Sequence, residues 1–358
     1  MELPEERRVS LLGLSVAELE TALAAHVDTP YRARQVWNAL HRRGVKSFDE
    51  MTDLGKALRE TLSEHFEIGL PEIVDRQVST DGTQKLLFRL ADGATVETVD
   101  IPTAARRTLC LSSQAGCALA CTFCVTGYWG PGRNLTAGEI IGQVLGIDSG
   151  FLVPEKGPNI VFMGMGEPLQ NLSSVKESID ILAETISWRR ITVSTVGLIP
   201  GIEELGSWPQ RPNLAVSLHA PDDARRSQIM PLNKTYPLPD LMQTLRRYPL
   251  EKGRKITFEY ILIRDFNDAD ADARMLASLL RGLRSKVNLI PVNPDPVLAD
   301  SMVPPSEERA TRFAELMKEA GVFTTVRQRR GDDVSGACGQ LRAPNREPRG
   351  FRRSNLSY

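Results

Sequence analysis

The stretch from Thr108 to Cys124, "TLCLSSQAGCALACTFC", runs from an apolar, β-prone segment straight into three crowded thiols. Cys117, Cys121 and Cys124 stand as Cys-x3-Cys-x2-Cys, and the 358-residue chain has only two further cysteines, Cys110 and Cys338. An odd number of thiols with no paired framework fits a reducing cytoplasm, where a thiol cluster points to a metal site rather than a disulfide scaffold. Structural zinc asks for four ligands, usually in two pairs, and no fourth Cys or His lies nearby. A cubane iron–sulfur cluster held by three thiolates leaves one iron open to bind and activate a small molecule. A zinc site completed from a distance remains the alternative for this loop.

The surrounding pattern gives the fold. From about 103 to 330, near-continuous apolar runs ("NIVFMGMG", "ITVSTVG", "LAVSLHA", "ITFEYILI", "VNLIPVNP", "FTTVRQ") alternate with amphipathic segments such as "TAGEIIGQVLGI" and "SEERATRFAELMKEAG". That alternation predicts an α/β fold with a parallel sheet and outer helices, a (βα) barrel that is partial. Barrel active sites lie at the C-terminal strand ends. Gly166, Glu167, Ser194, Ser217, His219 and Asn293 all fall there. Residues 1–68 read as a small helical domain, with Ser15 and Glu18 spaced as a capping box. Residues 69–102 read as a β-hairpin linker about Asp92-Gly93, and 331–358 as a tail carrying Cys338. A net charge of −1 excludes a global basic field. With no apolar run of membrane-spanning length and no apolar segment at the start, we expect a cytoplasmic monomer without a membrane partner.

The thiol motif with Phe123 before its last cysteine resembles the signature of radical S-adenosylmethionine (SAM) enzymes, and "GMGEP" (164–168) resembles their glycine–glutamate segment. A narrower resemblance, over roughly residues 10–341, is carried by "SSQAGCALACTFCVTG", "GMGEPLQN", "RRITVSTVGLIP", "AVSLHAPDDARR", "MPLNKTYPL" and "GDDVSGACGQL". It is to the RlmN/Cfr family of adenine methyltransferases, and the RlmN side is the nearer.

That resemblance implies a [4Fe–4S] cluster on Cys117, Cys121 and Cys124, with SAM on the open iron and two SAM used per turnover. It implies that Gly166, Glu167, Ser194, Ser217, Leu218, His219 and Asn293 line the SAM pocket, Glu167 accepting from the SAM ammonium. Cys338 would carry a methyl from one SAM. An adenosyl radical from a second would activate it for addition to adenine. Cys110 would release product through a transient disulfide, and Glu97 would accept a proton. The implied substrates are 23S rRNA and tRNA, methylated on carbon 2 of an adenine, with a flavodoxin-like reducing partner. Methylation of carbon 8, as by Cfr proteins, is the alternative. Gly336 departs from the two alanines that often precede the C-terminal cysteine in this family.

Residue by residue, plainer readings compete. Cys110 alternates within a strand and suits a small core residue. Glu97 alone is an ordinary strand acid, and a strand-end histidine such as His219 is usually structural. Two basic runs could hold RNA phosphates. One comprises Arg32, Arg34, Arg42, Arg43 and Lys46; the other comprises Arg342, Arg346, Arg349, Arg352 and Arg353. Charge runs are by default solvated faces. A radical-SAM enzyme on a small substrate would not need Cys338. A zinc-stabilised RNA-binding protein would use neither Cys338 nor the glycine–glutamate segment.

Overall fold

The structure is a computed structural model and describes residues 8–27, 29–104, 106–147 and 157–342. The N-terminal part holds three helices, α1 (Val16–Leu23), α2 (Pro30–His41) and α3 (Lys56–His65), between two short strands, β1 (Val9–Ser10) and β2 (Phe66–Glu67). Ser15 and Glu18 form the capping box: Glu18 N donates to Ser15 Oγ at 3.3 Å, and Ser15 N donates to Glu18 Oε2 at 2.8 Å. The strands pair in parallel, which the helical pattern did not foretell. Leu19, Leu23, Val36, Trp37, Leu40 and Leu62 make a separate apolar core.

That core is completed by side chains of the next domain, Ile141 and Leu145 of α5 (Ala137–Ile147) and Ile181 of α6 (Leu172–Ala183). Gly13 fixes the contact. It has φ +87°, and a Cβ there would lie 2.1 Å from the Gly138 amide nitrogen. Only glycine meets both demands. The Gly13 N–H donates to His41 Nε2 at 3.1 Å, and burial holds this imidazole down to about 4, so it is neutral.

The main domain is one open sheet of ten strands. Its first three strands are β3 (Glu72–Val78), β4 (Gln84–Arg89) and β5 (Thr95–Pro102), antiparallel to one another. The segment expected to be a hairpin linker is therefore a three-stranded extension of the sheet. Its outer strand β3 is too polar and exposed to be seen in the apolar pattern. β6 (Arg107–Cys110) pairs antiparallel with β5. From there the sheet runs parallel, strand beside successive strand: β7 (Asn159–Phe162), β8 (Ile191–Thr195), β9 (Asn213–Ser217), β10 (Ile256–Leu262), β11 (Ser285–Pro291) and β12 (Thr324–Val326). Since β3 and β12 are its two edges, the barrel does not close.

Between these strands lie α4 (Val125–Tyr128), α5, α6, α7 (Ile199–Ser207), α8 (Asp223–Ile229), α9 (Leu238–Arg247), α10 (Asp270–Leu279) and α11 (Glu307–Glu319). Phe162, Val193, Val216, Phe258, Tyr260 and Leu289 fill the space between sheet and helices. Because the strands are parallel and in order, their C-terminal ends share one rim, where the cysteine loop sits.

Candidate active site

The cysteine loop leaves β6 and is tied down by its own backbone and by distant chain. Cys117 N donates to Gly130 O at 3.0 Å, Thr122 N to Ile229 O at 3.0 Å, and Val125 N to Gly339 O at 2.7 Å. Cys117, Cys121 and Cys124 all line one cavity that opens to solvent. Burial pushes the Cys117 thiol up to about 12, with the Cys124 charge adding to it. Cys121 and Cys124 are raised for the same first reason. Three mutually repelling buried thiolates need a polycation to balance them. Among the described residues, no group of three or more His, Cys, Asp or Glu side chains can hold a metal ion between them. A cluster whose irons each take one thiolate suits this donor set better than a zinc chelate.

Across the cavity, Glu167 follows β7. Its Oε2 accepts from Val196 N at 2.9 Å and its Oε1 from Leu169 N at 3.0 Å. The residue is 2% exposed, and burial lifts its carboxyl to about 7 against those bonds. The adjoining glycines serve the protein's own packing. Gly166 has φ +97°, and a Cβ there would strike the Gln114 side chain at 2.5 Å; one on Gly164 would strike the Leu111 backbone at 2.7 Å.

Cys338 lies between two cavities. It lines the large one with the three loop cysteines and a second, smaller one with Cys110. Burial, and then the Cys338 charge, raise the Cys110 thiol to about 12. The segment holding Cys338 turns through left-handed backbone at Gly331, Ser335 and Gly339. It is sewn to the sheet by Thr80 N to Asp333 Oδ2 (3.1 Å), Gly331 N to Asp81 Oδ2 (3.2 Å) and Thr126 Oγ1 to Leu341 O (2.7 Å). The expected tail is thus a folded part of the site up to Arg342; Arg346, Arg349, Arg352 and Arg353 lie outside the described residues.

Not every expected residue reaches the large cavity. Ser194, Ser217 and His219 line it. His219 Nδ1 accepts from Ile261 N at 3.0 Å, which places the ring proton on Nε2. Burial and the nearby Arg226 charge hold this histidine down to about 3, so it stays neutral. Leu218 is fully buried; its backbone carbonyl accepts from Arg226 Nε. Asn293 donates to Cys338 O at 3.0 Å and lines the smaller cavity. Glu97 lines neither. Its Oε1 pairs with Lys85 Nζ at 3.1 Å, its Oε2 accepts from Arg342 N at 2.8 Å, and burial raises its pKa against both.

Four charged residues that motif reading passed over join the site. Arg226 of α8, 1% exposed, donates to Ser217 O, Leu218 O, Val196 O and Asn233 Oδ1, clamping the ends of β8 and β9. Arg327 follows β12 and lines both cavities, and the Cys338 charge raises its pKa. Lys85 holds Glu97. Glu259 lies on β10 and faces the large cavity. The signal for Glu259 was a lone acid inside the apolar run "ITFEYILI". Arg226 and Lys85 offered no such signal.

A three-thiolate loop after the first parallel strand, a glycine–glutamate turn after the second and an open βα sheet around the cavity they share define a radical SAM enzyme. The radical SAM superfamily model matches residues 111–277, and the ribosomal RNA large subunit methyltransferase N-terminal domain model matches residues 9–68. The dual-specificity RNA methyltransferase RlmN of Marinobacter nauticus is 46% identical over 344 residues, 93% of this chain and 92% of that one. The protein of the same name from Halorhodospira halophila is 47% identical over 352 residues, 96% and 97% of the two chains. The crystal structure of a radical SAM methyltransferase from Sphaerobacter thermophilus superposes with a TM-score of 0.88 at 45% identity, covering 93% of this chain and 99% of that one. The chain belongs to the RlmN family of radical SAM methyltransferases.

Proposed function

We propose that this enzyme methylates carbon 2 of an adenine in 23S rRNA and of the adenine 3′ of the anticodon in certain tRNAs, with Cys338 as the methyl carrier. The observation that carries this reading is the position of Cys338, open on one side to the cavity of the cluster cysteines and on the other to that of Cys110. A carrier must meet the methyl donor and then the residue that releases product, and Cys338 borders both.

Cys117, Cys121 and Cys124 would hold a [4Fe–4S] cluster, and Glu167 the SAM ammonium. When bound, the reduced cluster supplies the electron that splits SAM and generates a hydrogen-abstracting adenosyl radical. The rest falls to the chain. An unactivated adenine ring carbon is no nucleophile, so a thiolate takes the methyl first. Cys338 Sγ displaces the methyl from one SAM. After hydrogen loss to a radical from a second SAM, the carbon on Cys338 bonds to the adenine, leaving an odd electron on the adduct. As the adduct gives up that electron to a one-electron acceptor, for which the oxidised cluster would serve, and its ring proton to a base, the Cys110 thiolate attacks Cys338 Sγ. The carbon–sulfur bond breaks, methyladenine leaves, and the disulfide that remains must be reopened by an external reductant, such as a flavodoxin system.

Glu97 takes the ring proton in this scheme. For that, Arg342 must leave its Oε2, so RNA binding is coupled to movement at Leu341–Arg342. Arg329 and Arg330 at the mouth of the Cys110 cavity offer phosphate contacts. Of the expected RNA-facing residues, Arg42 pairs with Glu184 at 3.0 Å and Arg43 with Asp53 at 2.6 Å on the exposed surface, and Arg34 and Lys46 are exposed.

The test is nucleoside mass spectrometry of rRNA and tRNA after reaction with the reconstituted enzyme. 2-Methyladenosine at one rRNA position and 3′ of the anticodon is expected. 8-Methyladenosine would overturn the carbon assignment, and unmodified RNA despite SAM cleavage would overturn the substrate.

A further inference from the structure

Glu259 sits within β10, a strand whose seven residues are all buried. Its register sets it beside Ser217 of β9 and Asn288 of β11, and Asn288 beside Thr325 of β12. Laterally paired residues share a face of the sheet, so four polar side chains form one row. Hydrogen bonds give the row a direction. Thr325 Oγ1 donates to Asn288 Oδ1 at 2.9 Å, which turns the Asn288 amide nitrogen toward Glu259, and Nδ2 donates to Glu259 Oε1 at 3.0 Å. The other carboxylate oxygen, Oε2, is buried without any hydrogen-bond partner. The residue is 4% exposed and lines the large cavity with Ser217 and His219.

A carboxylate oxygen only accepts, and leaving one buried and unmet costs about 1–3 kcal/mol. Burial raises the Glu259 carboxyl, with the nearby charge of Arg327 working against it, yet no hydrogen bond joins Arg327 to Oε2. The donor must come from what fills the cavity. SAM has three kinds of donor: the ammonium, the ribose hydroxyls and the adenine amino group. The ammonium belongs with Glu167 after β7, and β8 and β9 lie between β7 and β10. Glu167 reaches across to the Val196 amide after β8, and Glu259 stands on β10, two strands further on, so the two acids meet different parts of the ligand. Of the remaining donors, vicinal hydroxyls are the usual partners of an acidic side chain that reads a nucleoside.

We infer that Glu259 is a ribose-binding residue of the SAM site, held through Oε1 by the Asn288–Thr325 chain and offering Oε2 to the sugar hydroxyls. Asn288 and Thr325 are then positioning residues. This deepens the reading of the large cavity as the SAM site and rests on it.

Anaerobic calorimetry on the cluster-loaded enzyme tests the inference with three probes: S-adenosylhomocysteine, its 2′,3′-dideoxyribose analogue, and S-inosylhomocysteine. Glu259→Ala should weaken S-adenosylhomocysteine by about tenfold or more, as for a charged hydrogen bond, and Glu259→Gln by less, since its amide bonds as a neutral group. Wild type should bind the dideoxy analogue about tenfold more weakly than the parent, whereas Glu259→Ala should bind the two within about twofold. Iron content and visible spectrum should be unchanged throughout. If Glu259→Ala does not fold, the isosteric Glu259→Gln carries the same analogue comparison, its penalty for the dideoxy sugar smaller than the wild type's. Wild-type affinity in both variants overturns the inference. So does an equal dideoxy penalty with and without Glu259, or a selective loss of discrimination against S-inosylhomocysteine, which would assign the residue to the base. A wild type with an intact cluster that binds no S-adenosylhomocysteine overturns the SAM reading of the cavity itself.

Discussion

At the scale of the residue, Glu167 shows how burial sets a working range. Its carboxyl is raised to about 7 by burial, and an ammonium binds only the ionised form. Affinity for S-adenosylhomocysteine should therefore fall by about tenfold per pH unit below 7 and level off above about 8. Calorimetry from pH 6 to 8.5 reads this slope, and Glu167→Gln should flatten it. Stability of the unloaded protein runs the other way. A raised carboxyl favours the fold below its ordinary value, and that contribution is lost as pH rises through about 7. Gly336 invites the opposite kind of change. A Cβ there meets nothing closer than 3.4 Å, so Gly336→Ala should be tolerated, with a gain of up to about 0.5–1 kcal/mol in denaturant unfolding. Cys117, Cys121, Cys124 and Glu167, which type and spacing singled out, do line one cavity. Lys85 was illegible because nothing in "QKLLFR" says that its ammonium turns inward onto Glu97.

At the scale of the element, the parallel strands were legible because both faces are covered, which leaves unbroken apolar runs. β3 was missed for the opposite reason: "EIVDRQV" is an exposed edge strand with charges on it. The short helix α8 was hidden inside "APDDARRSQIM", where charge outweighs apolar periodicity. Its Arg226 fastens the ends of β8 and β9, so Arg226→Met should leave several buried carbonyls unmet and destabilise the protein by about 3 kcal/mol or more. A shift of the urea midpoint with an unchanged slope checks this. Arg226→Lys should recover only part, because one ammonium cannot span the acceptors that the guanidinium reaches.

At the scale of the whole molecule, two joints hold the account together. One is the seam between the helical domain and α5, where Gly13→Ala should cost about 2 kcal/mol or more, since it adds both strain and a clash with the Gly138 backbone. Limited proteolysis of that variant should release the first 68 residues faster than in wild type. The other is the return of residues 331–342 to the rim of the sheet. Sequence placed Cys338 in a tail; the hydrogen bonds that bring it between two cavities join residues more than two hundred positions apart, and no local pattern encodes them. If Cys110 resolves the carrier, Cys110→Ser should stall with protein covalently bound to RNA, visible as a slow band on a denaturing gel. Cys338→Ala should give neither band nor product.

The central claim is that Cys338 carries the methyl group. Its most direct test is mass spectrometry of the proteolytic peptide holding Cys338, after anaerobic reconstitution with iron, sulfide, reductant and SAM. The account predicts one added methyl on Cys338, carried over into adenine when RNA is supplied. A Cys338 that stays unmodified in an enzyme whose cluster is intact and cleaves SAM would contradict it.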